Sequence, residues 1–352
     1  IWVKTIDRKL YVFNKVTECF HAVYDDMKNY SENIQVIKLQ NTAEGDVLLL
    51  TKDKNLLLAG VDEKGQVTIK ILFDSRNEIN KHDYTLKHHV LCETEEYISW
   101  IGTDYKVSAV HKGAELASRP ADFITSKINS GDKDSFTSFF EDGRKVWVGD
   151  RAGIFYSIDV RTGLVNRYVL SEIKGAISNL LVTPAGYVYL SVAGQGTYEY
   201  DLAERRLQKI NTEMNDAMVT HAFIDQYDKI WFHENEKALI YYDPLNHTAK
   251  RFPFTMFGKI TTLYSEDAGE RGLFFLSPAG EAWLFDREHA EMVYINKLKQ
   301  LSNDRANQQF YHLMLDNDGV LWLSSADEGV YCMNFPKKQF NLLSLSPQSA
   351  GQ

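Results

Sequence analysis

The chain has 352 residues, 44% of them hydrophobic, and a formal charge of −9 from 48 acidic and 39 basic side chains. That is enough apolar material for a sizeable core. The mild acidic excess argues against nucleic acid, which takes a basic stripe, while leaving room for a local basic patch that meets an acidic polysaccharide. No apolar run approaches the roughly 18 residues of a membrane-spanning helix; the longest, such as Val47 to Leu50, have the length of strands.

In chain order, the sequence opens at Ile1-Trp2 inside a strand-like segment, with neither Met nor signal peptide. It reads as a fragment or processed chain whose targeting segment and membrane anchor lie elsewhere. From there one pattern recurs. Trp2, Leu48, Trp100, Trp147, Tyr189, Trp231, Phe274 and Trp322 follow one another at steps of 42 (Trp147 to Tyr189) to 52 residues (Leu48 to Trp100). After each anchor, apolar residues alternate with period two, as at Tyr156 and Ile158, Tyr198 and Tyr200, and Tyr331 and Met333, which marks a half-buried strand. Twelve residues after the anchor stands Asn14, Asp159, Asp201, Asp243, Asp286 or Asn334; the Leu48 and Trp100 units have Gly60 and Lys112 there. An Asx side chain closes such a strand by accepting a bond from the backbone two residues on.

A further strand follows in several units, as in Phe20 to Val23, Val165 to Leu170, Lys250 to Phe254 and Phe340 to Leu345. Another precedes the anchor: Phe136 to Phe140, Ile177 to Val182, Val219 to Ile224 and Tyr311 to Leu315, each ending in a polar turn. Four short antiparallel strands in about 45 residues make one propeller blade. The expected architecture is an all-β propeller of seven or eight blades, built from eight units of which the first begins at its second strand. It occupies residues 1–345 as one domain, and 346–352 form a tail leading towards a missing downstream domain. The bulky anchors are expected to fill the space between neighbouring sheets. Ala203 to Lys209 and Arg287 to Met292 are short and charged, and read as turns between units. Asp74 to His89 and Ala117 to Ser135 read as polar insertions, where function tends to concentrate.

The three cysteines, Cys19, Cys92 and Cys332, are far apart and contain no C-x-x-C pair, so neither a zinc site nor a disulfide framework is expected, and buried free thiols are. Asp316-x-Asp318-Gly319 starts like a calcium loop, but the positions for its central Gly and closing Glu hold Leu321 and Asp327, so it reads as a hairpin turn. His82, His88 and His89 cluster in one insertion without a third ligand and read as a solvated loop. Gly194-Gln195-Gly196 opens no helix and is a loop, not a dinucleotide fingerprint. No nucleophile elbow, zincin or phosphate-loop motif is present, so no catalytic residue, metal or cofactor is expected. Propeller geometry puts the loops between second and third strands on one face. That selects Asp104, Tyr105, Lys106, Arg151, Gln195, Glu236 and Lys237 as candidate ligand contacts, rings stacking on sugars and cations pairing with carboxylate or sulfate.

Phe140-Glu141-Asp142-Gly143-Arg144-Lys145-Val146-Trp147-Val148-Gly149-Asp150 and Leu315 to Ser325 resemble the two-component regulator propeller repeat, and Trp100-Ile101-Gly102-Thr103 matches its strand core. Gly153 to Asp159 and Gly329 to Asn334 fit its second half, whereas the Leu48 and Phe274 units match poorly. The resemblance covers nearly all of the chain. It implies the periplasmic sensor region of a hybrid two-component system of Bacteroidetes, in an inner-membrane-anchored parent protein. The implied partners are an oligosaccharide or glycan fragment, and a second propeller and a histidine kinase of the same parent chain; homodimerisation is left open. On this reading the fragment is non-catalytic. A propeller glycosidase or polysaccharide lyase, and a protein-interaction platform, are the alternatives.

Overall fold

The computed structural model describes residues 1–5, 9–23, 36–42, 44–51, 55–62, 65–73, 86–93, 96–102, 107–112, 121–122, 136–210, 219–235, 237–257, 264–267, 272–297, 310–316, 318–325, 329–334 and 339–343. Among them the chain forms eight antiparallel sheets, in each of which the strands pair in sequence order. They divide between two compact units, one holding Ile1–Ile210 and the other Val219–Gln352.

The first unit holds five sheets. The first is three-stranded: β1 (Trp2–Lys4), β2 (Leu10–Asn14) and β3 (Cys19–Ala22). Four-stranded sheets follow: β4 (Val36–Asn41), β5 (Val47–Thr51), β6 (Leu56–Val61) and β7 (Val67–Phe73); then β8 (Leu86–Glu93), β9 (Tyr97–Gly102), β10 (Val107–His111) and β11 (Ala121–Asp122). The next are β12 (Phe136–Glu141), β13 (Lys145–Asp150), β14 (Ile154–Asp159) and β15 (Leu164–Val169); and β16 (Ile177–Val182), β17 (Tyr187–Val192), β18 (Gly196–Asp201) and β19 (Arg206–Lys209). The second unit holds β20 (Val219–Ile224), β21 (Ile230–Glu234), β22 (Ala238–Asp243) and β23 (Thr248–Pro253); β24 (Tyr264–Asp267), β25 (Leu273–Leu276), β26 (Glu281–Asp286) and β27 (Glu291–Lys297); and β28 (Phe310–Leu315), β29 (Val320–Ser325), β30 (Gly329–Asn334) and β31 (Gln339–Leu343).

Every sequence anchor lies on the second strand of a four-stranded sheet, or on β1 of the three-stranded one. Their burial follows from stacking between sheets. In the first unit Trp147 is 2% exposed and packs on Tyr168 at 6.0 Å, while Tyr168 lies flat on Phe155 at 4.6 Å and 4°. Phe155 in turn meets Tyr200 of the next sheet edge-on at 5.8 Å. In the second unit Trp231 is fully buried, edge-on to Phe285 at 4.7 Å and tilted against Phe275 at 5.4 Å, both from the following sheet. Aromatic pairs at such spacings add about 0.5–1.5 kcal/mol each beyond area burial.

Two carboxylate devices shape the hairpins. At the first turn, Asp142 Oδ1 accepts the N–H groups of Arg144 (3.0 Å) and Lys145 (2.8 Å), and Oδ2 accepts the indole N–H of Trp147 at 2.7 Å. Asp225 does the same for Tyr227, Lys229 and Trp231, and Asp316 for Asp318, Val320 and Trp322. Asp316 is therefore a turn residue, as its sequence context implied. At the last turn, Asn14, Asp159, Asp201 and Asp286 each accept two backbone N–H groups, from the residues two and three further on. The chain then needs a left-handed residue to enter the last strand of the sheet. Gly163 supplies it freely at φ 70°, whereas Glu18, Arg205, His247 and Ala290 adopt it at φ 49–54°.

Several expectations are corrected. Ala203 to Lys209 and Arg287 to Met292 do not separate units: each is the turn between third and fourth strands of one sheet plus the start of β19 or β27, because the Asx before it closes that hairpin. His88 and His89 lie on β8, not in a loop, since the first strand of that sheet begins at Leu86. The Ala117 to Ser135 insertion contributes β11, the outer strand paired with β10. Cys19 is exposed on the edge strand β3 rather than buried, and Cys332 is half-buried.

Asp142→Asn replaces an acceptor with an NH2 group facing the indole N–H. It is expected to cost about 1–3 kcal/mol in urea unfolding, with Asp142→Glu no better because the longer side chain overshoots the turn. The N–H of Thr162 holds Asp159 below the ordinary carboxylate pKa of 3.8. A depressed pKa stabilises the fold above the unfolded value and is lost as pH falls through the folded one. Thermal scans should therefore show Tm dropping as pH falls below about 4, and Asp159→Asn should flatten that drop.

Candidate functional site

The turn between β13 and β14 begins with Asp150, 1% exposed, whose Oδ1 accepts the N–H groups of Ala152 (2.9 Å) and Ile154 (2.8 Å). Tied from beneath, the turn thrusts Arg151 into solvent. Gly153 (φ 83°) lets it press on the connector between sheets, where an added Cβ would lie 2.7 Å from the Ile173 side chain. Ile173 is itself buried, pinning that connector.

Gln195, on the turn between β17 and β18, reaches the same connector from the other side. Its Oε1 accepts the Lys174 N–H at 2.7 Å and its Nε2 donates to the Glu172 carbonyl at 3.1 Å. Ala193 N–H donates to Ala176 O at 2.9 Å. Two turns and one connector thus form a continuous rim carrying exposed Arg151, Glu172 and Lys174. Gln195 is half-buried and its amide is spent on the backbone, so it builds the rim rather than extending from it. Tyr198 lies beneath, its pKa raised by burial and then by the Glu172 carboxylate. The patch offers a guanidinium, an ammonium and a carboxylate, suited to holding a polar or anionic ligand.

In the second unit, Lys237 is exposed on the turn between β21 and β22, with Nζ 3.8 Å from Glu234 Oε1. The other Glu234 oxygen accepts from Arg251 Nη2 (2.9 Å) and Nε (3.1 Å). Lys237 O accepts the Phe254 N–H at 2.7 Å, tying the turn to a short 3-10 helix, Phe254–Phe257. Of the remaining candidates, Asp104, Tyr105, Lys106 and Glu236 lie outside the described residues, as does His82. The structure brings Arg151 and Gln195 together; Lys237 belongs to the other unit.

Buried carboxylates are committed to structure: Asp150 and Asp225 to turns, Glu199 to the Tyr189 hydroxyl at 2.9 Å, Glu234 to Arg251 and Glu93 to Lys112. Among the described residues, no group of three or more His, Cys, Asp or Glu is arranged to hold a metal.

One feature escaped the sequence reading. Among the described residues, first strands carry a β-bulge near their start between Val36 and Lys38, Phe136 and Ser138, Ile177 and Asn179, Val219 and His221, and Phe310 and His312, and β8 is irregular between Leu86 and Leu91. In three of them the extra residue is a hydroxyl amino acid that bonds the facing second-strand carbonyl. Thr137 donates to Gly149 O (3.4 Å), Ser178 to Ser191 O (3.2 Å) and Thr220 to His233 O (3.3 Å). Thr137 also lies 2.7 Å from Ile177 O of the next sheet. Bulges re-aim side chains at rims. The signal was present as a break in alternation, apolar-polar-polar, in Phe136-Thr137-Ser138, Ile177-Ser178-Asn179 and Val219-Thr220-His221.

No protein-family model matches the sequence, and no curated protein does. Solved structures match by shape. The extracellular domain of the one component system BT4673 from B. thetaiotaomicron matches at 13% identity and TM-score 0.52, over 85% of this chain and 38% of that one. The extracellular domain of the hybrid two component system BT3049 from the same organism matches at 13% identity and TM-score 0.50, over 98% of this chain and 50% of that one. Virginiamycin B lyase from Staphylococcus aureus matches at 12% identity and TM-score 0.54, over 83% of this chain and 92% of that one. WD40 propeller domains are also among the matches. The fold is a β-propeller. Its antiparallel sheets are the blades that the repeat implied, and the chain spans half or less of the length of the two B. thetaiotaomicron proteins.

Gln195→Ala removes both bonds to the connector. Residues 172–175 are expected to exchange amide hydrogens faster, by at least about tenfold for a loss of roughly 1.4 kcal/mol, while exchange in β16 and β17 stays unchanged.

Proposed function

We propose that this propeller is the ligand-sensing part of an extracytoplasmic receptor, binding an oligosaccharide and relaying its presence to a histidine kinase in the same parent protein. The observation that carries the reading is the match to the extracellular domain of a hybrid two component system along 98% of this chain. The repeat resemblance supports it independently, because it rests on Asp142-Trp147 and Asp316-Trp322 pairs seen in the sequence. The parent is membrane-anchored with this portion in the periplasm; among the described residues no helix is long and apolar enough to cross a membrane.

Ligand is taken at the rim formed by Arg151, Glu172 and Lys174, whose backbone is fixed by buried Asp150 and by Gln195. A pre-set rim pays little ordering entropy on binding. The presence of two cations beside one carboxylate favours sugars bearing carboxylate or sulfate. A lyase reading also has a structural match behind it. Calorimetry and a sugar-release assay over one panel of neutral, uronic and sulfated oligosaccharides separate the two. The sensor reading expects binding without turnover, and Arg151→Ala weakening an acidic ligand about tenfold, the worth of one charge-assisted bond. Product release by the wild-type protein would favour the enzyme, and no binding to any member would remove the sugar ligand.

A further inference from the structure

We propose that His221 and His233 form a binding site for one first-row divalent transition-metal ion, such as Cu2+ or Zn2+. The two residues are directly opposite each other on β20 and β21. Directly opposed residues project from the same face of a sheet with their Cβ atoms about 4.5–5.5 Å apart. Two imidazoles can close on a shared ion from that spacing. The bulge between Val219 and His221 sets this pairing, by taking Thr220 out of the alternation.

The surroundings of His233 suit a ligand. Thr220 Oγ1 lies 3.3 Å from His233 O and 3.4 Å from His233 Nδ1. The hydroxyl has one proton. Given to the carbonyl, it leaves the hydroxyl oxygen to accept Nδ1–H, which puts the lone pair on Nε2. That is the arrangement of a metal-bound histidine whose other nitrogen is held by an outer partner. Nε2 itself is buried without a hydrogen-bond partner, so the lone pair is available and its desolvation is uncompensated. The Phe254 ring, 5.1 Å away, walls one side, and solvent reaches His221 on the other.

Among the described residues no third His, Cys, Asp or Glu joins the pair, so the remaining positions fall to water or to an external donor. This goes beyond the sugar-sensing proposal and does not depend on it: the residues lie in the other unit from the Arg151 rim.

The test uses Cu2+ alone. One equivalent added to the protein should give an electron paramagnetic resonance spectrum with coupling to two imidazole nitrogens. His221→Ala, a change at an exposed side chain, should remove one nitrogen and weaken binding. The Thr220→Val variant should weaken it by about tenfold or more, the usual effect of losing an outer partner. His233→Ala should abolish the two-nitrogen signal, with circular dichroism confirming the fold; should that variant not fold, His221→Ala decides alone. Cu2+ bound with the same affinity and the same nitrogen coupling in His221→Ala would overturn the proposal, since the ion would then sit on other histidines.

Discussion

The structure depends on one repeated hydrogen-bonding bargain. A hairpin turn leaves backbone N–H groups pointing inward with no strand partner. In blade after blade an Asp or Asn carries an oxygen to them. In the Asp142, Asp225 and Asp316 turns the second oxygen also fixes an indole, so the same carboxylate sets both the turn and the direction of the residue that fills the space between sheets. A buried indole N–H without an acceptor would cost about 1–3 kcal/mol. The pairing of Asp with Trp, five or six residues apart, is therefore a single structural unit rather than two preferences that coincide.

This explains why so much of the architecture could be read directly. Turn carboxylate, aromatic anchor and closing Asx are side chains whose roles are local, and local roles leave marks at fixed spacing. The strands carrying Trp147, Tyr189, Trp231 and Trp322 were legible for that reason, while the Leu48 unit, with neither aromatic anchor nor closing Asx, was legible only from its spacing and apolar run. What could not be read is non-local. Gln195 looked like a turn residue free to meet a ligand, but its partners are backbone atoms of Glu172 and Lys174, which sequence spacing does not bring near. The charged turns at Ala203 and Arg287 looked like separators, because their composition is that of any exposed turn. His221 and His233 were invisible as a pair because a bulge shifts the register that would have placed them opposite one another.

The rim and the core answer to different demands. Beneath the turns, aromatic stacking such as Phe155 on Tyr168 tolerates little change of volume. Around Arg151 and Lys174, side chains meet water and can vary while the backbone stays tied by Asp150 and Gln195. A scaffold of this kind separates the residues that keep the fold from those left free to vary at its surface.

The bulges carry this separation into the strands themselves. A strand without one obeys a strict parity rule: inserting or deleting a residue turns every later side chain to the opposite face. A bulge absorbs one residue, so the stretch before Lys38, Ser138, Asn179, His221 or His312 is freed from the parity of the stretch after it. Mutational drift in those short stretches can therefore sample both faces of the sheet, while the packed half of the same strand keeps its phase.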